Sequence, residues 1–254
     1  MKEADSLGLA GGWCRLANTQ TPPDIDQGAL HHYRLARIRQ ALSAADIPLA
    51  LLSNPLSLRY AADIRQFSLF QARVPMMYLA VPIEGNVIAF GGLRPSAATE
   101  TSVFDEVREG RALTVFDGGM NIEGELERFV DDMRSLARSW GGDQRIALDN
   151  MNPLVVGALI NSGFEVFDAQ PIMERARLIK SSEEIQCMRW SIAVCEHAMA
   201  KIREVLQPGI TENELWGLLT YINVANDGEW HDSRQLTSGP RTNPFGREAS
   251  ERQI

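Results

Sequence analysis

Apolar residues at Ile122, Leu126, Phe129, Val130, Met133, Leu136 and Trp140 recur in steps of three and four. Those steps return side chains to one face of a helix. The spacing predicts a helix closed by Gly141-Gly142-Asp143, because glycine readily takes the left-handed conformation that ends helices. A second face of this kind, Leu30, Ile38, Leu42 and Ala45, predicts a helix over residues 28–45. Short apolar runs predict buried strands at residues 48–53, 75–81, 86–90, 112–116, 145–149 and 164–167. Glu84-Gly85-Asn86 reads as a hairpin turn. Asn54-Pro55 turns the chain into a short helix ending near Ala62, and a further helix is expected over residues 153–161. Strands alternating with helices over residues 28–170 predict an α/β domain with a mixed sheet.

The pattern changes after Arg177. Ser182-Glu183-Glu184 opens a long helix, with Ser181 or Ser182 as its N-cap. Along it Ile185, Met188, Ile192, Cys195, Met199, Ile202 and Leu206 alternate steps of three and four, a stripe expected to pack into a core. Gln207-Pro208-Gly209 breaks the helix, and Thr211 with Glu214 forms a capping box for the next one. Leu215, Leu218, Leu219 and Ile222 are its predicted inward face. An extended segment is expected over residues 229–238, then a polar tail over 239–254. Two amphipathic helices and a single strand offer more apolar surface than they can cover. The chain therefore reads as an arm (1–27), a complete domain (28–170) and an incomplete second module (175–254).

A formal charge of −8 excludes a general nucleic-acid binder, which needs a basic face for phosphates. No apolar run reaches a membrane span or a signal-peptide core. Three cysteines, Cys14, Cys187 and Cys195, without a CxxC pair suit a reducing compartment, so a cytoplasmic location is expected. Cys187 and Cys195 lie about 12 Å apart along one helix, too far to bridge. Both read as small buried apolar residues.

No HExxH, GxSxG, Walker A or GxGxxG pattern occurs. His31-His32 reads as a solvated pair near a helix start, and His231-Asp232 as strand neighbours facing opposite ways. Asp131-Asp132 and Glu183-Glu184 read as solvated helix faces or as helix-start acids that suit the macrodipole. No catalytic residue and no metal ligand is assigned. The densest unusual stretch gives the substrate-binding candidates Trp230, Arg241 and Asn243. It sets an indole and a guanidinium among turn formers, and Arg241 could read an anionic group. The competing reading is an ordinary surface turn.

Three stretches together resemble the creatinase/prolidase (pita-bread) metallohydrolases. They are residues 54–60 (Asn-Pro-Leu-Ser-Leu-Arg-Tyr), 177–185 (Arg177, Lys180, Glu184 and Ile185) and 208–215 (Gly209, Thr211, Glu212, Glu214 and Leu215). Residues 229–230 and 238–244 look most like a subgroup that includes dimethylsulfoniopropionate lyases. The resemblance covers residues 28–254 and implies a creatinase-type N-terminal domain followed by the start of an α+β pita-bread domain. It implies a hydrolase of Xaa-Pro aminopeptidase type or a lyase on a small zwitterion, working as a homodimer on a small molecule or short peptide. A noncatalytic dimerisation fragment is the reading from a different class. Two divalent metals (Mn, Zn, Co or Fe) are implied for full-length relatives, held by two Asp, one His and two Glu that match nothing in this chain. Residues 238–244 also lack the histidine that Xaa-Pro peptidases place in the corresponding loop.

Overall fold

The computed structural model describes residues 14–65, 68–91, 104–229, 231 and 233–254. They fall into two compact units. One is Asp26–Ser181; the other joins the described residues up to Ile25 with Ser182–Ile254.

The first unit opens with α1 (Gln27–Ala44), capped by the Asp26 carboxylate, which accepts the Ala29 N–H at 2.9 Å. β1 (Leu49–Leu52) leads to α2 (Pro55–Ala62). There Asn54 caps through the Leu56 N–H, and proline at the first turn loses no bond the helix would have made. A single turn, α3 (Ser68–Gln71), precedes β2 (Met77–Pro82), β3 (Ile88–Gly91) and β4 (Glu106–Arg108). Then come α4 (Val115–Gly118), α5 (Ile122–Ser139), β5 (Arg145–Asp149), α6 (Pro153–Asn161), β6 (Glu165–Asp168) and α7 (Gln170–Leu178). The strands form one mixed sheet in the order β4-β3-β2-β1-β5-β6. β1 runs antiparallel to β2 and parallel to β5.

Period-two alternation in β1 explains the layering. Leu49 and Leu51 face Tyr78, Phe90, Phe129 and Met133 in one core layer, which α5 and α6 cover. Ala50 and Leu52 face Ile38, Leu58 and Met173 in the other, which α1, α2 and α7 cover. Each large apolar side chain fully buried there contributes about 1.5–3 kcal/mol. Tyr78 stacks on Phe90 at 4.8 Å and meets Phe129 edge-on at 5.8 Å. Burial pushes the Tyr78 hydroxyl well above the usual phenol range, and that oxygen accepts the Arg111 N–H at 3.0 Å.

Several expectations change here. Residues 112–116 are not a strand. Thr114 starts α4, its N–H and Oγ donating to Asp117 Oδ1 at 2.9 and 2.5 Å. The sixth strand is instead β4, parallel to β3. His31 is buried, not solvated, because two helical turns place it on the face of Ile38. Residues 170–178, given no element from the sequence, form α7, which buries Ile172, Met173 and Ala176, and Tyr60 Oη donates to the Ala176 carbonyl at 3.1 Å.

In the second unit α8 (Ser182–Val205) packs on α9 (Glu212–Ala225). Ala198, Ile222 and Cys14 form its small core, with Leu218 and Leu219 against it. Asn226 ties down the N-terminal segment. Its Nδ2 donates to the Cys14 carbonyl and its Oδ1 accepts the Leu16 N–H, both at 2.8 Å. The α8 stripe does not enter this core. Ile185, Met188, Ile192, Met199 and Leu206 are 42–64% exposed, because the described residues supply α8 with one covering helix, on the side of Ala198. Cys195 is exposed and Cys187 half-buried, so neither is the small buried residue expected of both; Cys14 is buried. No strand forms among the described residues of 229–238.

Candidate functional site

Glu212 is the first residue of α9, where a carboxylate suits the positive end of a helix dipole. Thr211 caps the helix. The Glu214 N–H donates to Thr211 Oγ1 at 3.1 Å, and Glu214 Oε2 accepts the Thr211 N–H at 2.8 Å. That box frees Glu212 for another task. Its side chain is fully buried, and residues 26–38 positions further along the chain wrap it. Oε1 accepts the N–H and Oγ of Ser238 at 2.7 and 2.8 Å. Oε2 accepts Arg241 Nε at 3.1 Å and the N–H and Oγ of Ser250 at 3.1 and 2.7 Å. Burial pushes this carboxyl upward, but the bonds from Ser250, Ser238 and Arg241 outweigh it and bring the pKa down to about 2.

The chain after Ser250 completes the wrap. The Glu212 and Asn213 N–H groups, orphans of the helix start, donate to the Arg252 and Ser250 carbonyls, each at 3.0 Å. Gly239 has φ +52, and a Cβ there would meet Arg252 Nη2 at 2.7 Å.

Of the predicted site residues, Arg241 lies at the centre of this clamp. Its Nη2 donates to the Glu248 carbonyl at 2.6 Å. With Nε on Glu212, only Nη1 is left without a bond among the described residues. Asn243 is exposed on the same loop, two residues on. Trp230 lies outside the described residues. The neighbouring His231 ring meets the Trp216 ring edge-on at 4.9 Å. Sequence reasoning missed Glu212 as a site residue, because an acid at a helix start already has a sufficient local explanation.

A groove of about 590 Å³ beside α5 and α6 is lined by Glu123, Glu127, Asp131 and Arg134. Arg134 bonds Asp131 and the Ser162 carbonyl, each at 3.3 Å, so this is a charged outer face. Among the described residues no three His, Cys, Asp or Glu side chains converge as a metal site. The described residues therefore offer no counterpart to the two-metal ligand set. No described helix is long and apolar enough to cross a membrane.

No protein-family model matches the chain. It is 32% identical over 239 residues to the dimethylsulfoniopropionate lyase DddP of Roseovarius nubinhibens, covering 91% of this chain and 53% of that protein. It is 30% identical over 234 residues to the enzyme of the same name from Roseobacter denitrificans, covering 89% of this chain and 52% of that one. A prolidase from Thermococcus sibiricus superposes with a TM-score of 0.66 at 16% identity, over 87% of this chain and 57% of its own. The α/β unit with its six-stranded mixed sheet is thus a prolidase-type N-terminal fold. The chain is thus similar in sequence to dimethylsulfoniopropionate lyases and in fold to prolidases, and it spans about half the length of the curated relatives it matches.

Proposed function

We propose that this chain is the N-terminal part of a lyase acting on dimethylsulfoniopropionate or a similar small zwitterion. The observation carrying this reading is the similarity to two such lyases across about nine-tenths of the chain. The histidine-free loop at residues 238–244 supports it over an Xaa-Pro peptidase. Such a substrate carries a carboxylate at one end and a sulfonium at the other. Arg241, held by Glu212 with Nη1 to spare, suits the carboxylate. Asn243 offers an amide on the same loop, and the Trp230 indole is the chemistry that suits a sulfonium. In the reaction a base takes the proton α to the carboxylate and the C–S bond breaks, leaving acrylate and dimethyl sulfide. The two divalent metals and the homodimer implied by the family belong to this proposal for the whole protein.

A chimera tests it: this chain joined to the C-terminal part of the Roseovarius nubinhibens lyase that lies beyond the match. We expect dimethyl sulfide from dimethylsulfoniopropionate, no proline from Xaa-Pro dipeptides, and turnover of neither by the chain alone. Proline without dimethyl sulfide would establish the peptidase reading. A folded chimera inert to both would favour the noncatalytic one.

A further inference from the structure

We propose that Glu212 makes the substrate subsite selective for a net-neutral zwitterion over an anion, by neutralising Arg241 from behind. The inference rests on the lyase reading and names the ligand charge that this loop accepts. Glu212 is fully buried and carries its charge where solvent does not reach it. Five bonds from Ser238, Arg241 and Ser250 hold it ionised. Helix capping does not need that charge, because Thr211 and Glu214 already close the start of α9.

Among the described residues its one ionic partner is Arg241, whose Nε lies 3.1 Å from Oε2. The arginine side chain is 29% exposed and the glutamate not at all, so the pair meets a ligand only through the guanidinium. An arginine backed by a carboxylate keeps its directed N–H donors while its net field is largely cancelled. The charges around it balance as well. Residues 211–214 and 234–252 set Arg234, Arg241, Arg247 and Arg252 against Glu212, Glu214, Glu248 and Glu251. Arg234 pairs with Glu248 at 3.3 Å, and Glu251 accepts Asn213 Nδ2 at 2.6 Å.

Dimethylsulfoniopropionate carries one charge of each sign, whereas its product acrylate is an anion. A lining without net charge gives the anion no long-range pull. The substrate binds through both of its ends, and the sulfonium end is lost when the C–S bond breaks. The same guanidinium therefore orients the substrate carboxylate and lets the product leave. Glu212 acts through Arg241 and is a positioning residue.

The test begins with the intact chain, isotope-labelled at arginine, and NMR of the Arg241 Nε–H resonance. Glu212→Gln keeps the shape of the side chain and removes its charge. Acrylate should shift the resonance about threefold more, or beyond, in that variant than in the parent. Glu212→Asp, which keeps the charge, should behave as the parent. In the chimera, Glu212→Gln should lower the ratio of the acrylate inhibition constant to the KM for dimethylsulfoniopropionate about tenfold. A purely structural role would raise both constants together and leave their ratio unchanged. Circular dichroism checks folding, and where a variant does not fold the parent decides through salt. Its acrylate inhibition should weaken less than about threefold from about 50 to about 300 mM sodium chloride, because a cancelled charge has little field to screen. An inert folded chimera would end the lyase reading and leave the resonance shift as the test of the pair. Three results would each overturn the proposal: equal shifts in parent and Glu212→Gln, an unchanged ratio, or a parent inhibition that weakens more steeply with salt.

Discussion

Asp149 and Ser53 lock the ends of the neighbouring parallel strands β5 and β1. Asp149 Oδ1 accepts the Ser53 N–H at 2.6 Å, and Ser53 Oγ donates to the Asp149 carbonyl at 2.8 Å. The same Oδ1 accepts the Asn54 N–H at 2.8 Å, so one carboxylate sets the path from β1 into α2. Burial raises its pKa, and bonds from Ser57, Asn54 and Ser53 offset only part of the rise.

That shift has a definite sign. Asp149 binds its proton more tightly folded than unfolded, so its stabilising contribution is full below the unfolded value of about 4. It is lost as pH rises through the raised folded value. Asp149→Asn should remove this dependence, leaving a urea midpoint that declines less from about pH 4 to 7 than the parent's. Asp149→Ala, which strands two backbone N–H groups, should cost about 2–4 kcal/mol. An Asp149→Asn profile parallel to the parent's would show that the carboxyl is not the titrating group.

Glu212 carries the opposite sign. Its folded pKa of about 2 lies below the unfolded value, so its contribution is present above about pH 4.5 and disappears as pH falls towards 2. Glu212→Ala should free the loop, with amide hydrogens at Ser238 and Ser250 exchanging at least tenfold faster at neutral pH. In the parent the same protection should persist at pH 5. Equal exchange in parent and variant would mean that the carboxylate does not hold the loop.

Phe129 is fully buried and meets the Tyr78 ring. Phe129→Ala should destabilise the first unit by about 3–5 kcal/mol. Chemical denaturation followed by circular dichroism measures it, and a loss below about 1 kcal/mol would show that the layer closes around the gap.

Gly91 ends β3 at φ +122, where a Cβ would collide with the Met76 carbonyl. Gly91→Ala should therefore cost about 1–3 kcal/mol through strain alone. An unchanged melting temperature would refute that backbone requirement.

Much of the first unit was readable because its signals are local. The β2–β3 hairpin follows from apolar runs around Gly85, and α5 from its spacing and closing glycines. The misreading at residues 112–116 has a clear cause. Leu113, Val115 and Phe116 carry strand propensity, but the Thr114–Asp117 bonds, made in three residues, outcompete it. α7 has no such signal: its buried face is only Ile172, Met173 and Ala176, too short a run for a helical period to stand out. β4, three residues long, is too short for any period to show. In the second unit the α8 spacing was visible, but spacing cannot say what a stripe faces. The Glu212 clamp could not be read at all, since its donors come from Ser238, Arg241 and Ser250, far along the chain.

The placement of β1 between β2 and β5 bears on how quickly the first unit assembles. β1 meets β2 after some thirty residues, but its partnership with β5 closes a loop of roughly 100 residues. Such distant contacts raise contact order and slow folding. The β1–β2–β3 meander can form early. The central sheet must then wait, with the parallel edge of β1 open, until the chain through Asp149 has emerged and docked. That interval is when a growing chain most needs protection from pairing with its neighbours.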